Sequence, residues 1–293
     1  MGKFWSLLFL LVPILGTGLF VVAAADLAPL QGHWLPEDVS THGHAIDSLW
    51  DFILYLTGVI FIITGLLLFW FLWRYDAASN ADPVKFTHGS HTLEVCWSVL
   101  PTVMLLFIAI HQMNVWADAK LRRPTDPGQD GRVGTMDDPM SPGADGQLGT
   151  DDDVARFKPA LCKVTGRQFE WRLQYSGPDR ELGTSDDLFL VNDLHVPVDE
   201  DVVLLITSED VLHSFFLPNM RVKQDVVPGM SQYAWFKPKQ SGSYDIVCAE
   251  LCGWGHYKMK GRLTVESRDE FDAWYQRKYQ EQETSEFTAQ AGD

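Results

Sequence analysis

Basic residues are scarce in this chain of 293: 23 Lys and Arg stand against 39 Asp and Glu, for a formal net charge of −16. That balance excludes nucleic acid as a partner, because gripping phosphates needs clustered cations. A cationic protein partner fits it better. Cysteine is scarce too: there are four, and no Cys-x-x-Cys-His run, so no covalently attached haem is expected in this chain. Charge of either sign is missing from residues 52–73 and again from 95–116, and no Lys or Arg occurs between residues 26 and 73.

Each charge-free run has 22 residues, and as a helix would measure about 33 Å, enough to cross a hydrocarbon core of about 30 Å. Trp50, Trp70, Trp73, Trp97 and Trp116 gather toward the ends, as interfacial anchors do. A transmembrane hairpin over residues 46–116 is therefore expected, with spans at about 50–74 and 94–116. Residues 1–25 start with Lys3, run apolar to Val22 and end in three alanines before Asp26. This is the pattern of a signal peptide, an extra N-terminal membrane helix being the alternative. If it directs export, the loop over 74–92 lies inside and everything after the second span lies outside.

Cys96 falls in an apolar helix and Cys162 at the start of a strand, where buried thiols act as small hydrophobes. The other two lie in Cys248-Ala-Glu-Leu-Cys252-Gly-Trp-Gly-His256-Tyr-Lys-Met259, and a further histidine, His213, stands upstream. Thiolates and imidazoles select copper, zinc or iron-sulfur centres over hard cations, and a terminal thioether tips the choice to copper. With Cys248 and Cys252 bridging two metals, His213 and His256 would each cap one, and Met259 and the Glu250 carbonyl would make weak contacts. A disulfide between the two cysteines or a closed zinc site are the competing readings. Neither explains Met259.

The run Cys-x-Glu-x-Cys-x3-His-x2-Met, with His213 in Asp210-Val-Leu-His213-Ser-Phe, resembles the copper A site of cytochrome c oxidase subunit II. The resemblance covers residues 46–267. It implies that a binuclear copper A centre on His213, Cys248, Glu250, Cys252, His256 and Met259 takes electrons from cytochrome c. They would pass to haem in subunit I, where oxygen is reduced to water with proton translocation; this chain would hold no haem and no catalytic residue. The Glu250 side chain would reach a magnesium ion shared with subunit I. In His91-Thr-Leu-Glu94-Val-Cys-Trp97, Glu94 would sit at the mouth of a proton pathway. Gly166-Arg-Gln168-Phe169-Glu-Trp171 resembles the aromatic segment through which electrons arrive, but Phe169 stands where Trp is usual; Trp171 is retained. Lys223-Gln-Asp225-Val-Val-Pro228-Gly229 resembles a segment packed on subunit I, with Met230 in place of the usual Arg. The implied location is a bacterial-type inner membrane, multi-pass, with the copper domain on the periplasmic face. The alternative is a membrane-tethered copper carrier.

Seven short runs rich in β-branched and aromatic residues, at 161–165, 168–175, 189–194, 202–208, 231–236, 242–247 and 262–266, predict an all-β sandwich. Ligands arriving from two far-apart loops fit a cupredoxin-like Greek-key sandwich, expected over 159–267 after the membrane hairpin. Alternation along 168–175 puts Phe169 and Trp171 on one face. A short amphipathic helix at 269–280 and an acidic tail complete 268–293. Residues 117–158 form an acidic insertion with a repeat, Asp130 to Asp137 and Asp138, then Asp145 to Asp151, Asp152 and Asp153; a degraded copy follows beyond it from Asp179 to Asp187. The repeat's carboxylates and glycines are the ingredients of a calcium site, but the spacing departs from the EF-hand loop, and acidic Gly- and Pro-rich runs also serve as solvated linkers.

Overall fold

A computed structural model describes residues 2–32, 34–76, 86, 88–126, 138–143, 146–148, 150 and 153–290. Two compact units emerge: residues 1–36 with 45–114, and residues 37–44 with 115–293. The first unit is helical. Helix α1 spans Gly2–Ala24, α2 spans Gly43–Arg74 and α3 spans His91–Lys120. All three are long and apolar enough to cross a membrane. Their large side chains, Phe61, Leu67, Leu105 and Ile110 among them, are exposed, as expected of helices whose solvent is lipid.

The second unit is built on strands. A small pair, β1 (Met140–Ser141) and β2 (Val154–Ala155), lies in the acidic insertion. The sandwich follows with β3 (Cys162–Arg167), β4 (Glu170–Tyr175), β5 (Leu188–Val191), β6 (Asp193–Pro197), β7 (Val202–Ser208), β8 (His213–Leu217), β9 (Val222–Val226), β10 (Gln232–Phe236), β11 (Gly242–Cys248) and β12 (Lys260–Glu266). One sheet runs β10-β7-β3-β4-β5 and the other β6-β12-β11-β8-β9. The chain crosses between sheets, and the pairs β3 with β7 and β6 with β12 are parallel. Alternate residues of β3 and β4 point inward and are buried. Val164, Leu173, Leu204, Ile206, Phe215, Ile246 and Leu263 join in one apolar core. This is the expected cupredoxin-like β-sandwich of a membrane-anchored chain.

Four readings of the sequence need correction. The run 189–194 is two strands, because Asn192 takes a left-handed conformation (φ 59°) and hands the chain from one sheet to the other; Asn tolerates that conformation well. The strand expected at 168–175 begins only at Glu170, since Gln168 and Phe169 form the turn after β3. Alternation therefore does not extend to Phe169, and the two aromatics part: Trp171 is wholly buried while Phe169 is half-buried. Strands β8 and β9 were not foreseen. The first has consecutive buried residues in place of alternation, the second polar ones at its centre. Finally, the last helix, α4 (Arg268–Gln290), is not short. Ser267 and Glu270 start it as a reciprocal capping box, and no Gly or Pro interrupts residues 268–290.

Candidate metal centre

Strand β8 opens with His213, and β11 closes with Cys248. The two strands pair antiparallel with Phe215 opposite Cys248, and the Ala249 amide donates to the Ser214 carbonyl at 3.0 Å. That register carries the wholly buried His213 to the start of the cysteine loop. From Cys248 the chain turns through Gly253 (φ 136°) into a short 3-10 turn at His256–Lys258, then returns as β12. The Met259 amide donates to the His256 carbonyl and the Cys248 amide to the Met259 carbonyl, at 3.1 and 3.2 Å. These bonds close the loop on itself.

The donor atoms converge inside it. The two Sγ atoms are 3.9 Å apart. His213 Nδ1 lies 3.9 Å from Cys248 Sγ, and His256 Nδ1 lies 3.7 Å from Cys252 Sγ. Met259 Sδ is 3.8 Å from Cys252 Sγ, and the Glu250 carbonyl oxygen is 3.2 Å from Cys248 Sγ. A disulfide needs sulfurs about 2.05 Å apart, so this arrangement is not one; both cysteines are free. Bonds of about 2.0–2.3 Å in a tetrahedral sulfur and nitrogen shell place neighbouring ligand atoms roughly 3.5–3.8 Å apart. The separations among the sulfur and imidazole donors, 3.7 to 3.9 Å, lie close to that edge length, and the Glu250 carbonyl is nearer. His213, Cys248 and Cys252 meet the geometry of a metal-holding cluster by themselves, and Met259, Glu250 and His256 extend it. Six donors, with thiolate, imidazole and thioether among them, fit copper.

Electrostatics prepares the set unequally. Burial would push the Cys248 thiol up, but hydrogen bonds from His213 and the backbone amides of Ser214 and Glu250 bring it down to about 6. Burial and the neighbouring Cys248 charge push Cys252 up to about 11. His213 is raised: burial opposes its charge, and its bonds to Cys248 and Asp210 outweigh that. Asp210 Oδ1 accepts from His213 Nε2 at 2.8 Å, which fixes the tautomer and leaves Nδ1 as the ligand atom. Its Oδ2 accepts the Gln168 amide at 2.8 Å. Burial would raise the Asp210 carboxyl, yet these bonds hold it below the ordinary range. Gln168 Nε2 in turn donates to the Cys252 carbonyl. Neither supporting role was assigned from sequence. The spacing of Asp210 and His213, three residues apart, was the available signal for the first.

Of the other expected site residues, Trp171 packs edge-on against Phe215 and His213, with ring centroids 5.2 and 6.1 Å away. Glu94 stands in the first turn of α3, exposed, 3.9 Å from His91 Nδ1. Met230 is exposed. Asp130, Asp137, Asp145, Asp151 and Asp152 lie outside the described residues; Asp138 and Asp153 are within them. In the degraded third copy, buried Asp187 accepts from Gln174 Nε2, the Gly177 and Gly183 amides and the Thr184 hydroxyl at 2.5 to 3.4 Å. These hydrogen bonds tie that loop together.

Fold and site together define a membrane-anchored cupredoxin-like protein in which His213, Cys248 and Cys252 gather as a group able to hold a metal. Two family models match it: "Cytochrome C oxidase subunit II, transmembrane domain" over residues 29–115 and "Cytochrome C oxidase subunit II, periplasmic domain" over 162–267. An alternative cytochrome c oxidase subunit 2 of Bradyrhizobium diazoefficiens is 37% identical over 134 residues, 38% of this chain and 48% of that protein. The cytochrome c oxidase subunit 2 of a Synechocystis species is 29% identical over 273 residues, covering 87% of this chain and 79% of that one. The crystal structure of the periplasmic domain of subunit II from Bradyrhizobium japonicum aligns with TM-score 0.37 and 29% identity, covering 41% of this chain and 93% of that one. The chain belongs to the cytochrome c oxidase subunit II family.

Proposed function

We propose that this chain takes electrons from cytochrome c at a binuclear copper A centre and delivers them to haem in subunit I, where oxygen is reduced to water with proton translocation. The observation that carries the reading is the sulfur pair: Cys248 and Cys252 face each other at 3.9 Å, with an imidazole Nδ1 3.9 Å from the first and another 3.7 Å from the second. A copper pair held there supplies one-electron chemistry. The chain's own part is to keep the donors fixed as charge changes. The β8 and β11 register holds His213 and Cys248 in place, Asp210 orients the first imidazole, and the closed loop holds Cys252, His256 and Met259. Little then has to move when an electron arrives.

The copper domain faces the periplasm of a bacterial inner membrane, with α2 and α3 as spans and α1 as a signal or third span. Accessory roles belong to the same proposal. The Glu250 carboxylate reaches magnesium shared with subunit I, since that hard ion accepts one carboxylate with waters; Glu94 marks the proton-path mouth. The acidic repeats are proposed as calcium sites, which calcium titration calorimetry tests. Copper analysis and electron spin resonance of the whole chain, purified in detergent with copper, test the main reading. Two coppers per chain sharing one unpaired electron are expected. A single isolated copper, or loosely exchangeable metal as a copper carrier would hold, refutes it.

A further inference from the structure

The loop that holds the donors also displays an indole. Trp254 stands between Cys252 and His256, two residues from each, and 76% of it is exposed. Its ring meets Phe169 edge-on, with centroids 5.1 Å apart at 68°. The Lys258 ammonium lies 4.5 Å from the ring centroid. Phe169 in turn lies close against the loop backbone. A Cβ at Gly255 would come within 2.5 Å of the Phe169 ring, and one at Gly253 within 3.3 Å. The two glycines flanking Trp254 thus make room for the ring that supports it. Trp171, by contrast, is wholly buried and out of reach of any partner.

A rigid exposed indole costs solvation and gains little unless something covers it; aromatic side chains of this kind dominate interface energies. Lys258 and Arg172 offset part of the acidic charge near it, and the chain's balance of 39 acidic to 23 basic residues favours a cationic visitor. Glu170, Glu209 and Asp210 lie on the adjoining segments, where Glu170 and Glu209 share one guanidinium, Arg172, and Asp210 accepts the Gln168 amide beside Phe169. Any protein seated on this face comes within a few covalent bonds of Cys252.

We propose that Trp254 is the contact through which the redox donor, a cationic protein with an exposed cofactor edge, meets this chain, with Phe169 as its support. The inference rests on the copper A reading above. In the encounter the donor's cofactor loses one electron and the metal pair gains it. The indole is neither oxidised nor reduced; it shortens the gap by contact.

The test uses the assembled oxidase with Trp254→Leu and, separately, Trp254→Phe. Both variants retain wild-type copper content and the shared-spin signal. A redox-inert zinc-porphyrin cytochrome c protects wild-type Trp254 in mass-spectrometric oxidative footprinting. Reduction by native cytochrome c slows about tenfold in Trp254→Leu and less in Trp254→Phe, the scale of losing an aromatic anchor. Onward transfer to haem and reduction by hexaammineruthenium stay unchanged. The proposal is overturned if Trp254 is not protected, if another subunit already shields it, if the cytochrome rate holds, or if onward transfer falls equally. A wild-type enzyme lacking the shared-spin signal would defeat the copper reading and this inference with it.

Discussion

Asp210→Asn removes a charge from behind His213 while keeping the shape of the side chain. In the native protein one carboxylate serves three donors: Oδ1 takes His213 Nε2 at 2.8 Å and the Val211 amide at 2.6 Å, and Oδ2 takes the Gln168 amide at 2.8 Å. Asn can keep the His213 bond through its carbonyl, but its NH2 then faces the Gln168 N–H, donor to donor. That lost bond should cost the metal-free protein about 1 kcal/mol. The metal feels a second effect, because a carboxylate behind a ligating imidazole raises its basicity and is worth roughly 10- to 100-fold in affinity. At about 1.4 kcal/mol per tenfold, this is about 1.4–2.8 kcal/mol. Competition with a chromophoric copper chelator measures the second effect, and thermal unfolding of the metal-free chain measures the first. Lower stability with unchanged copper affinity would reduce Asp210 to a loop brace and refute the orienting role.

The ligand loop was legible because its chemistry is local: Cys248, Cys252, His256 and Met259 fall within twelve residues, and no tertiary knowledge is needed to see them as one set. His213 could be named but not placed. What brings it to Cys248 is the pairing of β8 with β11, and β8 hides from pattern reading because its residues are buried in succession. The same limit explains Trp171 and Phe169. Period-two alternation holds only while the chain is a strand, and the turn at Gln168 and Phe169 ends it. Asn192 was a stronger clue than its neighbours, a residue apt for a left-handed kink inside an apolar run. Trp254 could not be valued from sequence, since only burial separates a core aromatic from an exposed one.

Cys252→Ser should abolish the shared-spin signal, because an alcohol does not replace a bridging thiolate; an unchanged spectrum sinks the bridging arrangement. Met259→Leu is close in volume and costs less than about 1.5 kcal/mol in the core, so the copper pair should survive with a shifted reduction potential. Loss of all copper would contradict a weak thioether contact. The metal-free chain offers a pH test, followed by thiolate absorbance in variants that each retain one of these two cysteines alongside the intact protein. Both thiols start from 9.0, and folding moves Cys248 to about 6 and Cys252 to about 11. A depressed thiol stabilises the fold above its unfolded value, a contribution lost as pH falls from about 9 through about 6. A raised thiol contributes while protonated, and that contribution fades as pH rises from about 9 through about 11. Since the Cys248 charge is itself a cause of the Cys252 rise, Cys248→Ser must bring the second ionisation down. If Cys252 titrates unchanged in that variant, the two sulfurs do not sense each other, and their facing geometry is wrong.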